Sequence, residues 1–234
     1  GLSIVILDFG QGSPVLTLLP GAPWRRMVTG FLFGTTGAAI ALSPLGRESG
    51  AHINPVVTLA FWLMGRMRAG HALAYVACQL VGAIIGAVPL LAWGAMGRSV
   101  AYGATVPGAA YGVAWALLGE VVTTFALIFG LFFFLRHRSL RAYTPLLFPP
   151  LYAIMVWLEA AVSGTSTNPA RSLAPAVIAD EWHGWWIYWL GPLIGTLLAI
   201  AVHRRAGRRW LQIEVAKIHH FEHDPYGVFR YRAP

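Results

Sequence analysis

The sequence predicts an all-α integral membrane protein: two inverted repeats, together holding six transmembrane helices and two re-entrant half-helices. Three observations carry that prediction. Of 234 residues, 57% are apolar and 11% charged, with a mean hydropathy of +0.61, far from the averages of soluble domains. Apolar runs recur at 27–45, 71–93, 111–135, 144–162 and 184–202, each near the ~20 residues that carry a helix across a bilayer. Two short segments also echo each other, SGAHINPVVT at 49–58 and SGTSTNPARS at 163–172, a displacement of 114 positions.

The elements follow in chain order. Residues 1–9 are apolar but too short to span, and they lack the basic region of a signal peptide. They read as the back half of a first helix whose front half lies upstream of Gly1. Asp8 within this piece has no role that the sequence assigns. The runs at 27–45 and 71–93 are the next two spans, with the first Asn-Pro segment between them. A stretch containing Gly, Ala and Pro at 94–110 joins this half to a second of the same plan, with spans at 111–135, 144–162 and 184–202. The expected units are a first repeat at 1–95, an external connecting loop at 96–110, a second repeat at 111–203 and a polar tail at 204–234. An odd number of spans per half turns the second half upside down in the membrane. Inverted repeats of this kind tend to place a functional site at the midplane where they meet.

The formal charge of +8 does not point to nucleic acid, because of where the charges fall. Arg47, Arg66, Arg68, Arg136, Arg138, Arg141, Arg204, Arg205, Arg208, Arg209 and Lys217 share one side if the spans alternate; Arg25, Arg26 and Arg98 take the other. The positive-inside rule makes the first group cytoplasmic. The expectation is an inner (plasma) membrane protein with a cytoplasmic C-terminus and lipid around its spans. Arg171 belongs to neither group.

After each Asn-Pro comes an apolar stretch of helical character, 56–64 and 170–178, too short to cross and fitting a re-entrant half-helix. Asn is a preferred N-cap, and Pro at the first helical position sacrifices no hydrogen bond. Asn54-Pro55 and Asn168-Pro169 therefore start two half-helices whose N-termini meet in mid-membrane. Each Asn oxygen accepts from its own first turn, which leaves the side-chain NH₂ to donate into the space between. Each half-helix terminus adds roughly half a positive charge. Water is held there oxygen-inward, and cations meet a barrier.

On these residues the chain resembles the aquaporin family (major intrinsic proteins), from about residue 3 to residue 205. The two Asn-Pro segments look like the family's signature loops. YVACQLVGA at 75–83, GEVVTTF with Glu120, and YWLGPLIG at 188–195 also match. The resemblance implies a homotetramer with a pore in each subunit, no cofactor, and water or small neutral solutes as the partners of the channel. It implies two constrictions: the paired Asn54 and Asn168, and a selectivity filter at Phe33 (Gly34 if the register slips by one), Val156, Thr165 and Arg171. A membrane-buried charge is expensive unless it faces water, so Arg171 would donate to passing solutes and repel cations. His52 and Ala170 would line the pore. Glu120 would accept hydrogen bonds from re-entrant loop backbone. Two positions depart from the family's pattern. Val56 replaces its usual Ala and is expected to crowd the opposing half-helix. Val156 stands where water-selective members carry His, which widens and dries the filter. Ser172, Ala176 and the pair Tyr188-Trp189 match water channels better than glycerol channels, so water ranks ahead of glycerol, ammonia and other neutral solutes.

Other residues invite roles of their own. Glu159 lies one helical turn from Val156 and is a candidate for the outer vestibule. Cys78, the single cysteine, reads as a small packing residue within a span. The pairs Gly82/Gly86 and Gly191/Gly195 read as close helix crossings. In the tail, Trp210, Leu211, Ile213, Val215 and Ile218 are spaced to lie on the membrane surface. The cluster HHFEHD at 219–224 reads first as solvated, with divalent metal binding or pH sensing as the sharper alternatives. A secondary transporter also uses inverted repeats, but its path needs ionisable coupling residues, and the spans offer only Asp8, Glu120 and Glu159. An enzyme needs a nucleophile–base or metal constellation, which the spans lack. A purely structural protein has no use for Arg171 in the membrane.

Overall fold

The computed structural model describes residues 1–206, 213, 215–219, 224, 225 and 227–229. Eight principal helices order these residues: α1 (Leu2–Phe9), α2 (Ala22–Leu42), α3 (Pro55–Leu63), α4 (Ala69–Ala87), α5 (Gly112–Arg136), α6 (Thr144–Glu159), α7 (Pro169–Ala179) and α8 (Ile187–Ala206). Shorter turns fill the gaps. One is Pro44–Ser49, started by Ser43, whose hydroxyl accepts from the Gly46 N–H at 3.1 Å. Another continues α4 as a 3₁₀ stretch, Val88–Trp93, from Pro89 onward.

The two repeats are visible in what touches what. α2 of the first half packs along α6 of the second; α7 leans on α4, and α3 leans on α8, as a twofold axis in the membrane plane requires. Among the described residues, three helices are long and apolar enough to cross a membrane: Ala69–Arg98, Gly112–Arg136 and Ile187–Arg205. α6 is shorter than the expected 144–162: it is helical for 16 residues and ends at Glu159, ~24 Å at 1.5 Å per residue. α1 has 8 residues, in keeping with the short helix expected over 1–9. Exposed apolar side chains such as Leu73, Val81, Ile85, Val122, Ile154 and Leu158 cover the outside, as a lipid-facing surface demands.

Glycines set the tightest helix contacts. A Cβ at Gly30 would lie 2.2 Å from the Tyr152 carbonyl oxygen and one at Gly34 would lie 2.4 Å from that of Phe148, so α2 and α6 touch backbone to backbone. Gly191 and Gly195 do the same between α8 and α5, with a Cβ at Gly195 only 2.4 Å from the Val121 carbonyl oxygen. Gly82 and Gly86 do not: nothing lies within 4 Å of a Cβ built at either. That face of α4 borders a cavity, not a helix, so the expected crossing there is corrected.

The structure adds to three further readings. The 96–110 connection is held against the second half by Gly108, whose N–H donates to the Val162 carbonyl at 2.8 Å. Asp8 gains a role, since its carboxylate is buried and accepts from the Thr29 hydroxyl. The tail does not lie on a membrane surface where it is described: Ile213, Val215 and Ile218 are 2%, 4% and 4% exposed, because they pack back into the protein. Trp210, Leu211 and 220–223 of the histidine cluster lie outside the described residues.

Candidate functional site

The two re-entrant loops share one backbone path. Gly50, Ala51 and Ile53 have φ of +74°, +54° and +41°; Gly164, Thr165 and Thr167, each 114 positions on, have +89°, +51° and +53°. β-Branched residues rarely adopt this region; each such position costs roughly 1–3 kcal/mol and persists only where its surroundings fix it. They do fix it. In the second loop, Glu120, fully buried on α5, accepts from the Ser163 hydroxyl at 2.6 Å and from the Ser166 and Thr167 N–H groups at 2.7 and 2.8 Å. A hydroxyl pair, Ser166 and Ser172, closes the loop onto α7 at 2.6 Å, and Thr105 from the 96–110 connection reaches Ser172 at 2.6 Å. The repeat-related pair in the first loop is His52 and Thr58, at 3.0 Å, with Gln79 donating to the Thr58 hydroxyl at 3.0 Å.

This path aims the loop carbonyls across the repeat boundary. Asn54 caps α3 by accepting from the Val56 N–H at 3.0 Å; Asn168 caps α7 by accepting from Ala170 and Arg171 at 3.0 and 3.3 Å. The remaining amide group of each Asn then crosses over. Asn54 donates to the Thr167 carbonyl at 2.9 Å, and Asn168 donates to the Ile53 carbonyl at 3.0 Å. The expectation that both NH₂ groups face open space is thus modified. An amide NH₂ has two donors; one from each Asn is committed to the opposite loop, and one remains.

Two cavities adjoin here. The larger, about 530 Å³, is lined by Asn54, Asn168, His52, Ala170, Val57, Gln79 and Cys78 among others. The smaller, about 240 Å³, is lined by Val156, Thr165, Thr29, Gly103 and Thr105 among others. Phe33, Tyr152 and Arg171 belong to both walls and form the neck between them. The Phe33 and Tyr152 rings are 5.8 Å apart and tilted by 41°. The Arg171 guanidinium sits 5.8 Å from the Phe33 ring centre and donates to the Gly103 carbonyl at 2.7 Å. The Tyr152 hydroxyl is held at 3.0 Å from that of Thr167.

The four residues expected to form a filter therefore surround one cavity, with Phe33 and not Gly34 at the neck, since Gly34 is pressed on the Phe148 backbone. Val156 lines only the smaller of the two cavities. Tyr152, which motif reasoning missed, lines both cavities and so stands at the neck between them. The signal for it was present: Tyr152 lies four residues before Val156, on the same helical face. The Gly103 carbonyl had no signal, because a backbone acceptor leaves none in sequence.

Three expected residues are placed differently. Val56 is buried and lines neither cavity; the next residue, Val57, turned about 100° along the helix, lines the larger one. Cys78 is exposed and borders the larger cavity instead of packing inside a span. Glu159 turns away from both cavities toward Gly119, and its carboxylate accepts from the Thr165 hydroxyl at 2.5 Å. Among the described residues no group of three or more His, Cys, Asp or Glu could hold a metal ion.

Comparison with known proteins gives concordant matches. The family model "Major intrinsic protein" matches residues 25–203. Aquaporin PIP1-6 of Zea mays is 36% identical over 166 residues, which are 67% of this chain and 56% of that protein. Aquaporin TIP4-4 of Zea mays is 38% identical over 173 residues, 72% of this chain and 67% of that protein. Human Aquaporin-4 is 34% identical over 185 residues, 76% of this chain and 55% of that protein. The chain thus spans a little over half the length of two of these relatives. The solved structure of the aquaglyceroporin from Plasmodium falciparum superposes with a TM-score of 0.66 over 86% of this chain and 88% of that one, at 14% identity; this likeness concerns the fold.

Proposed function

The chain belongs to the major intrinsic protein family, and from that premise we propose that it forms a passive transmembrane channel for water. Other small neutral solutes are its second class of permeant. The observation that carries the reading is the pair of cavities joined at a neck of Phe33, Tyr152 and Arg171, with both Asn-Pro termini on the wall of the larger one. Water passing the neck meets the guanidinium as a donor. A cation meets its charge, and then the two half-helix N-termini, each worth roughly half a positive charge. A proton relay is disfavoured because the remaining Asn donors hold water oxygen-inward, which breaks a donor–acceptor wire at that point.

Selectivity follows from the neck. Val156 supplies no hydrogen bond, so the smaller cavity is wide and dry on that side. Tyr152, one turn deeper, narrows the path with a ring and fixes its hydroxyl on Thr167. In this reading Asn54 and Asn168 form the midplane site; Phe33, Tyr152, Thr165 and Arg171 form the filter; and Glu120 and Glu159 hold the loop that carries Thr165. Glycerol or ammonia facilitation is the alternative, favoured by Val156. A coupled transporter has less support, because Asp8, Glu120 and Glu159 each accept from neighbouring side chains or backbone and none borders either cavity. The working form is a homotetramer in lipid, in the plasma membrane with the tail cytoplasmic.

Stopped-flow light scattering on proteoliposomes tests the reading. Vesicles should shrink faster than empty ones in sucrose and re-swell more slowly in glycerol than they shrink. A pH-sensitive dye inside, with a potassium–valinomycin clamp, should report no protein-dependent acidification. Proton flux under that clamp, or saturation of flux with solute, would displace the channel in favour of a transporter.

A further inference from the structure

We propose that residues 216–218 and 228–229 of the C-terminal tail dock in the mouth of the passage beside His52 and close it, so that the tail must leave before solute passes; this rests on the channel reading and adds regulation to it.

Lys217 and Ile218 pair with backbone at and just before the first re-entrant loop. The Ile218 N–H donates to the Gly50 carbonyl at 3.2 Å, and the Lys217 ammonium donates to the Arg47 carbonyl at 2.6 Å. Phe229 folds back on the same strip, its carbonyl accepting from the Ala216 N–H at 3.1 Å. The Asp224 carboxylate holds that fold by accepting from the Val228 and Phe229 N–H groups at 3.0 and 3.1 Å. These contacts are not those of a solvated tail: Ala216 and Lys217 are fully buried, and Phe229 is 2% exposed. A buried ammonium needs partners. Lys217 has the Arg47 carbonyl and the Phe229 ring, 4.8 Å away.

The docked segment also touches the passage itself. Ile218 is part of the wall of the larger cavity that includes His52 and Asn54. The Phe229 ring lies 6.1 Å from that of His52 and 6.2 Å from that of Tyr75. His52 Nε2 is 2.8 Å from the Ala216 carbonyl. A carbonyl only accepts, so Nε2 carries the proton and Nδ1 accepts from the Thr58 hydroxyl, which accepts in turn from Gln79. The chain Gln79, Thr58, His52, Ala216 thus ends on the tail. When the tail leaves, the Nε2 proton faces the cavity and is available to water. The same donor serves the closed state through Ala216 and the open state through solvent, which gives the element two satisfied arrangements.

The test uses the full chain in liposomes and in detergent, with Phe229→Ala and Ile218→Ser as separate variants matched for protein content and elution volume. If the tail closes the mouth, flux scales with the undocked fraction, and either variant should raise water permeability about tenfold. In detergent, trypsin should cut after Lys217 slowly in the parent and quickly in both variants, while cutting after the exposed Arg138 stays the same. Equal permeability in parent and variants, with the Lys217 bond newly open, would show that the tail docks without closing. A Lys217 bond cut in the parent as fast as that of Arg138 would show that it does not dock. Either result overturns the proposal and leaves the channel standing. If parent and variants all match empty vesicles, the channel reading falls and the gate with it.

Discussion

Asn54 and Thr167 stand 113 residues apart on opposite re-entrant loops, and the Asn54 amide donates to the Thr167 carbonyl at 2.9 Å. Its mirror contact, Asn168 to the Ile53 carbonyl, is 3.0 Å. The two half-helices are therefore tied by a reciprocal side-chain-to-backbone pair at the point where they meet. Asn54→Asp keeps the capping oxygen for the Val56 N–H but sets a carboxylate against a carbonyl. Leaving that buried acceptor unpaired should destabilise the protein by about 1–3 kcal/mol, read as a lower thermal midpoint in detergent. Asn168→Asp should cost a similar amount. An unchanged midpoint in both would mean that the crossing bonds contribute nothing.

Removing the charge at the neck should open it to cations. A guanidinium ~5 Å from a passing cation at an effective dielectric of ~20 raises its energy by about 3 kcal/mol. Arg171→Val should then increase potassium efflux roughly a hundredfold relative to water flux. The readout is potassium-selective electrode traces beside light scattering on the same vesicles.

Solute breadth should depend more on Tyr152 than on Val156. Tyr152→Val removes a ring from the neck and should raise the glycerol-to-water permeability ratio. Val156→His adds a donor and bulk to the smaller cavity and should lower it, by less. Val156→His shifting the ratio while Tyr152→Val does not would return the narrowest point to Val156.

Glycines on two helices should respond oppositely to the same change. Gly30→Ala drives a Cβ to 2.2 Å from the Tyr152 carbonyl oxygen, an overpacking worth about 1–3 kcal/mol or more, and should lower the midpoint. Gly82→Ala meets nothing within 4 Å and should raise helix stability by about 0.5–1 kcal/mol. Thermal melts of the two variants at matched detergent decide it.

Cys78 is exposed and borders the larger cavity, so an organomercurial should slow water flux. Cys78→Ser should abolish that inhibition, and a reducing thiol should reverse it in the parent. Inhibition that persists in the serine variant would place the reactive group elsewhere.

Much of this site was legible in contiguous residues. Asn followed by Pro states a helix start, and two such starts before short apolar runs state two half-helices, because capping is chemistry between near neighbours. Arg171 announced itself as a charge with no reason to be in lipid. Glu120 did the same for a carboxylate, and the loop N–H groups it accepts from lie in the segment that the motif already marked.

What the sequence by itself determined was the fold class, the inverted repeat and the two caps, each from composition or from spacing along the chain. The residues now seen around the smaller cavity were indicated by the family resemblance, not by composition or spacing. The tertiary structure alone decided that Tyr152 shares the neck, that Val57 and not Val56 lines the cavity, that Cys78 is reachable, and that Gly30 and Gly34 make the close crossing that Gly82 and Gly86 do not. It also decided that the tail turns back onto His52. The physical reason is common to all of these. A membrane helix is apolar toward lipid and toward its neighbours alike, so its hydrophobic pattern does not state which face it buries. Only the packing of one helix against another assigns each face to lipid, to protein or to the water path.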